Sequence, residues 1–68
     1  MKVSCIATHR IDTTEPLICT INRVGHDYRV VTVNTENGTI VEYYRGRSRR
    51  TATYWYDGVI SKLECGDN

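Results

Sequence analysis

Tyr28-Arg29-Val30-Val31-Thr32-Val33-Asn34-Thr35, then Glu36-Asn37-Gly38, then Thr39-Ile40-Val41-Glu42-Tyr43-Tyr44 follow one another without a break, and their reading decides the fold. Two β-branched and aromatic runs flank an Asn-Gly pair. Both residues of that pair tolerate positive φ, so this is a strong short-range hairpin signal. Two registers compete. A two-residue Asn37-Gly38 loop sets Val33 opposite Glu42 and Val31 opposite Tyr44. A three-residue loop, with Gly38 as a left-handed bulge residue, pairs Val33 with Val41 and Val31 with Tyr43 and puts Thr32 opposite Glu42. The second keeps one face apolar and is the expected register.

Composition extends the β reading outward. Six Ile, seven Val and nine Thr make 22 of 68 residues β-branched, against two Leu, two Ala, one Met and no Gln. Such side chains suit a pleated strand, and the strong helix formers are nearly absent.

Upstream, residues 2–9 read as a first strand with Val3, Cys5 and Ala7 on one face. Residues 12–16 hold the only proline and read as a loop. Leu17-Ile18-Cys19-Thr20-Ile21 reads as a strand ending at a Gly25-His26 turn. Leu17, Ile18, Ile21 and Val24 also fit helical spacing, with Thr13 or Thr14 as cap, so a helix over 14–24 is the alternative.

Downstream, Thr51-Ala52-Thr53-Tyr54-Trp55-Tyr56 reads as another strand. Asp57-Gly58 reads as a tight turn and Val59-Ile60-Ser61-Lys62-Leu63 as a returning strand that places Trp55 opposite Ile60. Residues 66–68 are expected to fray. The expectation is therefore a mostly β fold, a single domain over 1–68. It is an antiparallel meander of five to six strands curling toward an SH3-like or OB-like open barrel. With a helix near 14–24 the class becomes α+β. A chain this short buries only about 60% of its unfolded surface, and exposed sheet edges make a homodimer possible.

Charge is balanced overall, nine basic against eight acidic residues, but not locally. Arg45, Arg47, Arg49 and Arg50 fall within six positions, and residues 43–56 contain no carboxylate. Five of the six aromatic residues, Tyr44, Tyr54 and Trp55 among them, lie in the same window. Strict alternation cannot bury both Tyr43 and Tyr44, so one should face outward. Guanidinium groups beside exposed rings are what single-stranded nucleic acid binding uses, through phosphate contact and stacking. An anionic protein surface would be bound by the same set. The bland alternative is a solvated basic loop beside structural cross-strand rings. Near-neutral total charge speaks against tight non-specific duplex binding.

Other chemistry finds little support. Cys5, His9, Cys19 and His26 match no standard zinc spacing, so no metal or other cofactor is expected. Ser4, Cys5 or Cys19 with His9 or His26 form no recognisable nucleophile–base pattern. The glycines are isolated, so there is no phosphate loop and no enzyme activity is expected. Three widely spaced cysteines read as reduced thiols. Without a membrane-length apolar run or signal-like N-terminus, a cytoplasmic location in a cell or host is expected. The expected role is a small non-enzymatic binding domain contacting nucleic acid. The alternative is a protein-interaction module, such as an inhibitor or accessory protein of phage or mobile-element type.

Overall fold

The computed structural model describes residues 2–12 and 15–65. Four strands, β1 (Val3–Asp12), β2 (Pro16–Val24), β3 (Asp27–Asn34) and β4 (Ile40–Gly46), precede one helix, α1 (Arg49–Cys65). The strands form a single antiparallel sheet in the order β1-β2-β3-β4, so β1 and β4 are open edges. The mostly β expectation holds. The strand number is four rather than five or six, and the sheet stays open.

The strand reading of Leu17–Ile21 is the correct one, and a helix over 14–24 is not formed. β2 turns into β3 at Gly25-His26, with Val24 opposite Asp27. Only Gly25 takes a positive φ there, +63°, as the first central residue of a type II′ turn does. The capping role read at Thr13 or Thr14, and the fraying read at 66–68, lie outside the described residues.

The β3–β4 hairpin forms where expected, but in neither expected register. Val33 pairs with Ile40, Thr32 with Val41, Val31 with Glu42 and Val30 with Tyr44. The loop is longer because Asn34 organises it. Its Oδ1 accepts from the backbone N–H groups of Glu36 (2.9 Å) and Asn37 (3.1 Å). The Gly38 N–H closes the turn on the Asn34 carbonyl at 2.7 Å, with Gly38 left-handed at φ +77°. An Asn side chain that caps a single helical turn outweighs the shorter loop.

The register also slips by one residue between Val30 and Val31, which leaves Tyr43 as an extra residue in β4. This bulge corrects the expectation for the tyrosine pair. Both Tyr43 and Tyr44 are half-buried and pack against the core. A bulge suspends strict alternation, so neither ring has to face solvent. β1 carries a similar slip at Ile6, between Cys5 and Ala7, so these two do not continue one regular face. β1 also runs on to Asp12 and brings Ile11 into the core.

The largest departure is at the C-terminus. Residues 51–56 and 59–63 are not strands, and Asp57-Gly58 is not a turn. All lie within α1. Ala52, Tyr56, Val59, Ile60 and Leu63 are spaced i, i+4, i+7, i+8, i+11, a helical stripe, and all five pack in or against the core. Ser48 starts the helix: its Oγ accepts the Thr51 N–H at 3.1 Å and its carbonyl the Ala52 N–H at 3.0 Å, an N-cap arrangement. The β-rich composition of this segment yields to the apolar stripe once a sheet is present to receive it.

α1 lies across all four strands on one face. Ile11, Cys19, Ile21, Val30, Ala52 and Val59 form the buried cluster between helix and sheet. At mid-helix, Gly58 has no positive φ, and a Cβ built there meets nothing within 4 Å. Gly58→Ala should therefore stabilise the protein by about 1 kcal/mol, raising the thermal midpoint by about 4–8 °C for a domain of this size. A lowered midpoint would mean that residues 57–58 form a turn after all.

Candidate binding surface

The basic segment spans the end of β4, the connection and the first turn of α1, and the fold parts it. The β4 bulge puts Glu42 and Arg45 on the same sheet face, the one away from the helix, where they pair at 3.2 Å. Arg45 is thereby set apart from the other three arginines. Arg47 extends largely into solvent, its Nε 4.0 Å from an Asp27 carboxylate oxygen. An exposed pair at that distance is worth little.

Arg49 and Arg50 open α1, whose first turn has no acidic residue. Among the described residues no ion pair reaches either of them. Cations at a helix N-terminus oppose its dipole, at about 0.3–1 kcal/mol each. Arg47, Arg49 and Arg50 therefore add their charge to the positive end of the helix at one corner of the molecule.

The aromatic residues divide as well. Tyr44 points to the helix side and stacks on Trp55, with ring centroids 6.5 Å apart and planes at 22°. Its phenol lies over Gly46, where a Cβ would collide with it. Trp55 remains 42% exposed and Tyr54 78% exposed. Tyr54 follows Arg50 by four residues, so the two share a helix ridge, and Gly58 and Lys62 continue it.

That ridge borders a groove of about 740 Å³ between α1 and the open edge of β4, with Tyr43, Tyr54, Trp55, Val59, Lys62 and Leu63 in its walls; Asp57 contributes its one carboxylate. The sequence reading missed Lys62 and Tyr43 here because it placed residues 51–63 in a hairpin. The i, i+4 spacing of Arg50, Tyr54, Gly58 and Lys62 was the available signal.

Elsewhere, His9 and Cys19 are register partners on β1 and β2, and His9 Nε2 meets Glu64 Oε2 at 2.6 Å. The order Cys, His, Glu resembles a nucleophile with base and orienting acid. Yet Cys19 is fully buried, and burial pushes its thiol up to about 11, the reverse of an activated cysteine. All three cysteines are free, with Cys5 and Cys65 exposed. Native protein treated with a chromogenic disulfide reagent should release two equivalents rapidly and the third only on unfolding. Three equivalents released at once from the native state would contradict the burial of Cys19. Among the described residues no three His, Cys, Asp or Glu side chains converge as metal ligands. Among the described residues no helix is long and apolar enough to cross a membrane.

No family model matches this chain, and neither a curated protein nor a solved structure does. What fold and surface define is a class: a four-stranded antiparallel sheet with one covering helix, carrying an apolar, aromatic-lined groove along that helix.

Proposed function

We propose that this protein is a non-enzymatic binding module for single-stranded nucleic acid, which runs along the β4 side of α1. The observation that supports the reading is the groove beside α1, lined by Tyr54, Trp55 and Lys62, with Arg50 one turn before Tyr54 on the same helix ridge. Arg50 and Lys62 stand about 18 Å apart by helical rise. Phosphates would sit at the positive end of the helix, beside Arg47, Arg49 and Arg50. Bases would stack on Tyr54 and the exposed part of Trp55, while Tyr44 braces Trp55 from behind. Arg45 contributes less, because Glu42 holds it on the other face. The second reading, a protein segment of acidic and apolar character, draws on the same groove and its apolar lining.

The test is a fluorescence titration with short single-stranded DNA and RNA oligonucleotides at low and moderate salt. Binding should weaken as salt rises, with a log–log slope of about −0.7 per phosphate neutralised. Replacing Arg45, Arg47, Arg49 and Arg50 by Ala should abolish it while circular dichroism stays unchanged. Tyr54→Ala should weaken it by about 5- to 150-fold, the range that loss of one base–ring stack produces. Absence of binding to either polymer, or equal binding by wild type and the arginine variant, overturns the nucleic-acid reading in favour of a protein partner.

A further inference from the structure

Charge on this molecule is sorted along the strand direction. β1 and β3 begin, and β2 and β4 end, at one end of the sheet. α1 starts there beside β4 and runs to the other end, where Glu64 meets His9 of β1. Seven of the nine cationic residues, all but Arg10 and Lys62, belong to the half of the fold in which α1 starts. Among the described residues that half holds one carboxylate on the sheet, Asp27, and none on the first two turns of α1. Asp12, Glu15, Glu36 and Glu64 gather at the opposite end.

At the basic end, outside the groove beside α1, lies an open pocket of about 310 Å³ lined by Lys2, Ser4, Arg23 and Gly25. The β2–β3 turn builds it. Arg23 Nε donates to the Gly25 carbonyl at 3.1 Å, which fixes the guanidinium and leaves its two terminal nitrogens to donate elsewhere. The Gly25 N–H reaches the Lys2 carbonyl at 3.4 Å and holds the start of β1 against the turn. Ser4 stands directly opposite Arg23 and adds a hydroxyl. Among the described residues no ion pair reaches Lys2 or Arg23. The pocket therefore presents two cations and no anion of its own.

Register joins this pocket to the start of α1. Ser4, Arg23, Tyr28 and Gly46 are successive partners in one row across the four strands. Tyr28 packs against the core under the helix, so the row lies on the helix side of the sheet. Asp27 precedes Tyr28 by one residue and falls on the other side, where it approaches Arg47. Arg23 and Gly46 are two strand spacings apart, about 10 Å, and Arg47, Arg49 and Arg50 follow Gly46.

We infer, on the basis of the nucleic-acid reading, that this pocket is a second phosphate site for the same single strand. The backbone leaves the groove at Arg50 and crosses the end of the sheet to Lys2 and Arg23. A guanidinium held by its own turn, an ammonium and a hydroxyl suit a phosphate diester. No apolar side chain lines the pocket to receive an acidic and apolar peptide.

Fluorescence titrations of the full chain test this, with an oligothymidylate of about 12 nucleotides, a length within the range of such sites. They compare the wild type, the double variant Lys2→Ala with Arg23→Gln, and Arg10→Ala at the opposite end. Gln keeps an N–H for the Gly25 carbonyl, and circular dichroism checks the fold. The double variant should bind more weakly, with a log–log salt slope shallower by about 0.7, the loss of one phosphate. Arg10→Ala should match the wild type. In NMR spectra of the wild type, the backbone amides of Ser4 and Gly25 should shift as the oligonucleotide is added. That readout depends on no variant, and amides that stay unmoved overturn the inference. Binding that the double variant retains with an unchanged slope overturns it too, while leaving the groove reading in place. An equal loss in Arg10→Ala does the same, because the attraction would then follow net charge alone. Absence of any binding by the wild type overturns both readings together.

Discussion

Ile11→Ala should remove about 3 kcal/mol of stability, the middle of the range for deleting a large buried aliphatic group. Ile11 is fully buried beneath α1. It pairs with Leu17 across β1 and β2, in a cluster with Cys19, Ile21, Val30, Ala52 and Val59. That cluster is small, and a single core in a chain below about 70–80 residues rarely supplies more than about 3–5 kcal/mol. Most of the stability should therefore go, and a urea titration should find the variant only marginally stable at room temperature, with its unfolding transition beginning at the lowest urea concentrations. The internal control is Ile6→Ala, five residues earlier in the same strand. Ile6 is the bulge residue and is 36% exposed, so its truncation should cost well under half as much. Equal costs at the two positions would mean that β1 does not present Ile11 to the helix.

Asn34→Ala should cost about 2 kcal/mol, because one side chain serves three hydrogen bonds at a buried position. Its oxygen holds the N–H groups of Glu36 and Asn37, and its amide nitrogen donates to Glu15 Oε1 at 2.8 Å. Alanine supplies none of these and leaves the two loop amides without an acceptor. Glu15→Ala removes only the last contact and should cost less than half as much. Hydrogen exchange gives a local readout: amide protection at Glu36 and Asn37 should fall in the Asn34 variant and persist in the Glu15 variant. Protection that survives Asn34→Ala would show the loop to be held by its backbone alone.

The same residue explains why the hairpin was legible while its register was not. β-branched runs on either side of Asn37-Gly38 announce two strands and a left-handed Gly38, and both are present. Which residues pair depends on whether the Asn34 side chain turns back on its own loop. It does, and four residues instead of two or three lie within the closing pair, where the Asn34 N–H donates to the Thr39 carbonyl. The competing reading of 14–24 as a helix fails for a related reason. Leu17, Cys19 and Ile21 are wanted on one sheet face under α1, and period two delivers them there.

Residues 49–65 show the opposite competition. Thr, Tyr and Trp in number, with an Asp-Gly pair, favour strand and turn by local preference. The stripe of Ala52, Tyr56, Val59, Ile60 and Leu63 favours a helix only if an apolar surface lies beneath it. Most helical stability in a protein comes from packing the apolar face rather than from propensity, so the choice is made by the sheet. The basic cluster was legible as composition, but its geometry was not. The β4 bulge turns Arg45 to the far face, while Ser48 starts a helix that carries Arg49 and Arg50 to its positive end.

By itself, then, the sequence determined the strand-rich meander, the turns at Gly25 and Gly38, and the concentration of arginine and aromatic residues near one another. These follow from χ1 stiffness, positive-φ tolerance and simple adjacency, all of which act within a few residues. Only the tertiary structure decided that residues 49–65 are a helix, which face of each strand it covers, and which cations end up together. Those outcomes depend on burial between segments distant in sequence, where the free energy of covering Ile11, Cys19, Ile21 and Val30 exceeds the local preferences of the residues that cover them.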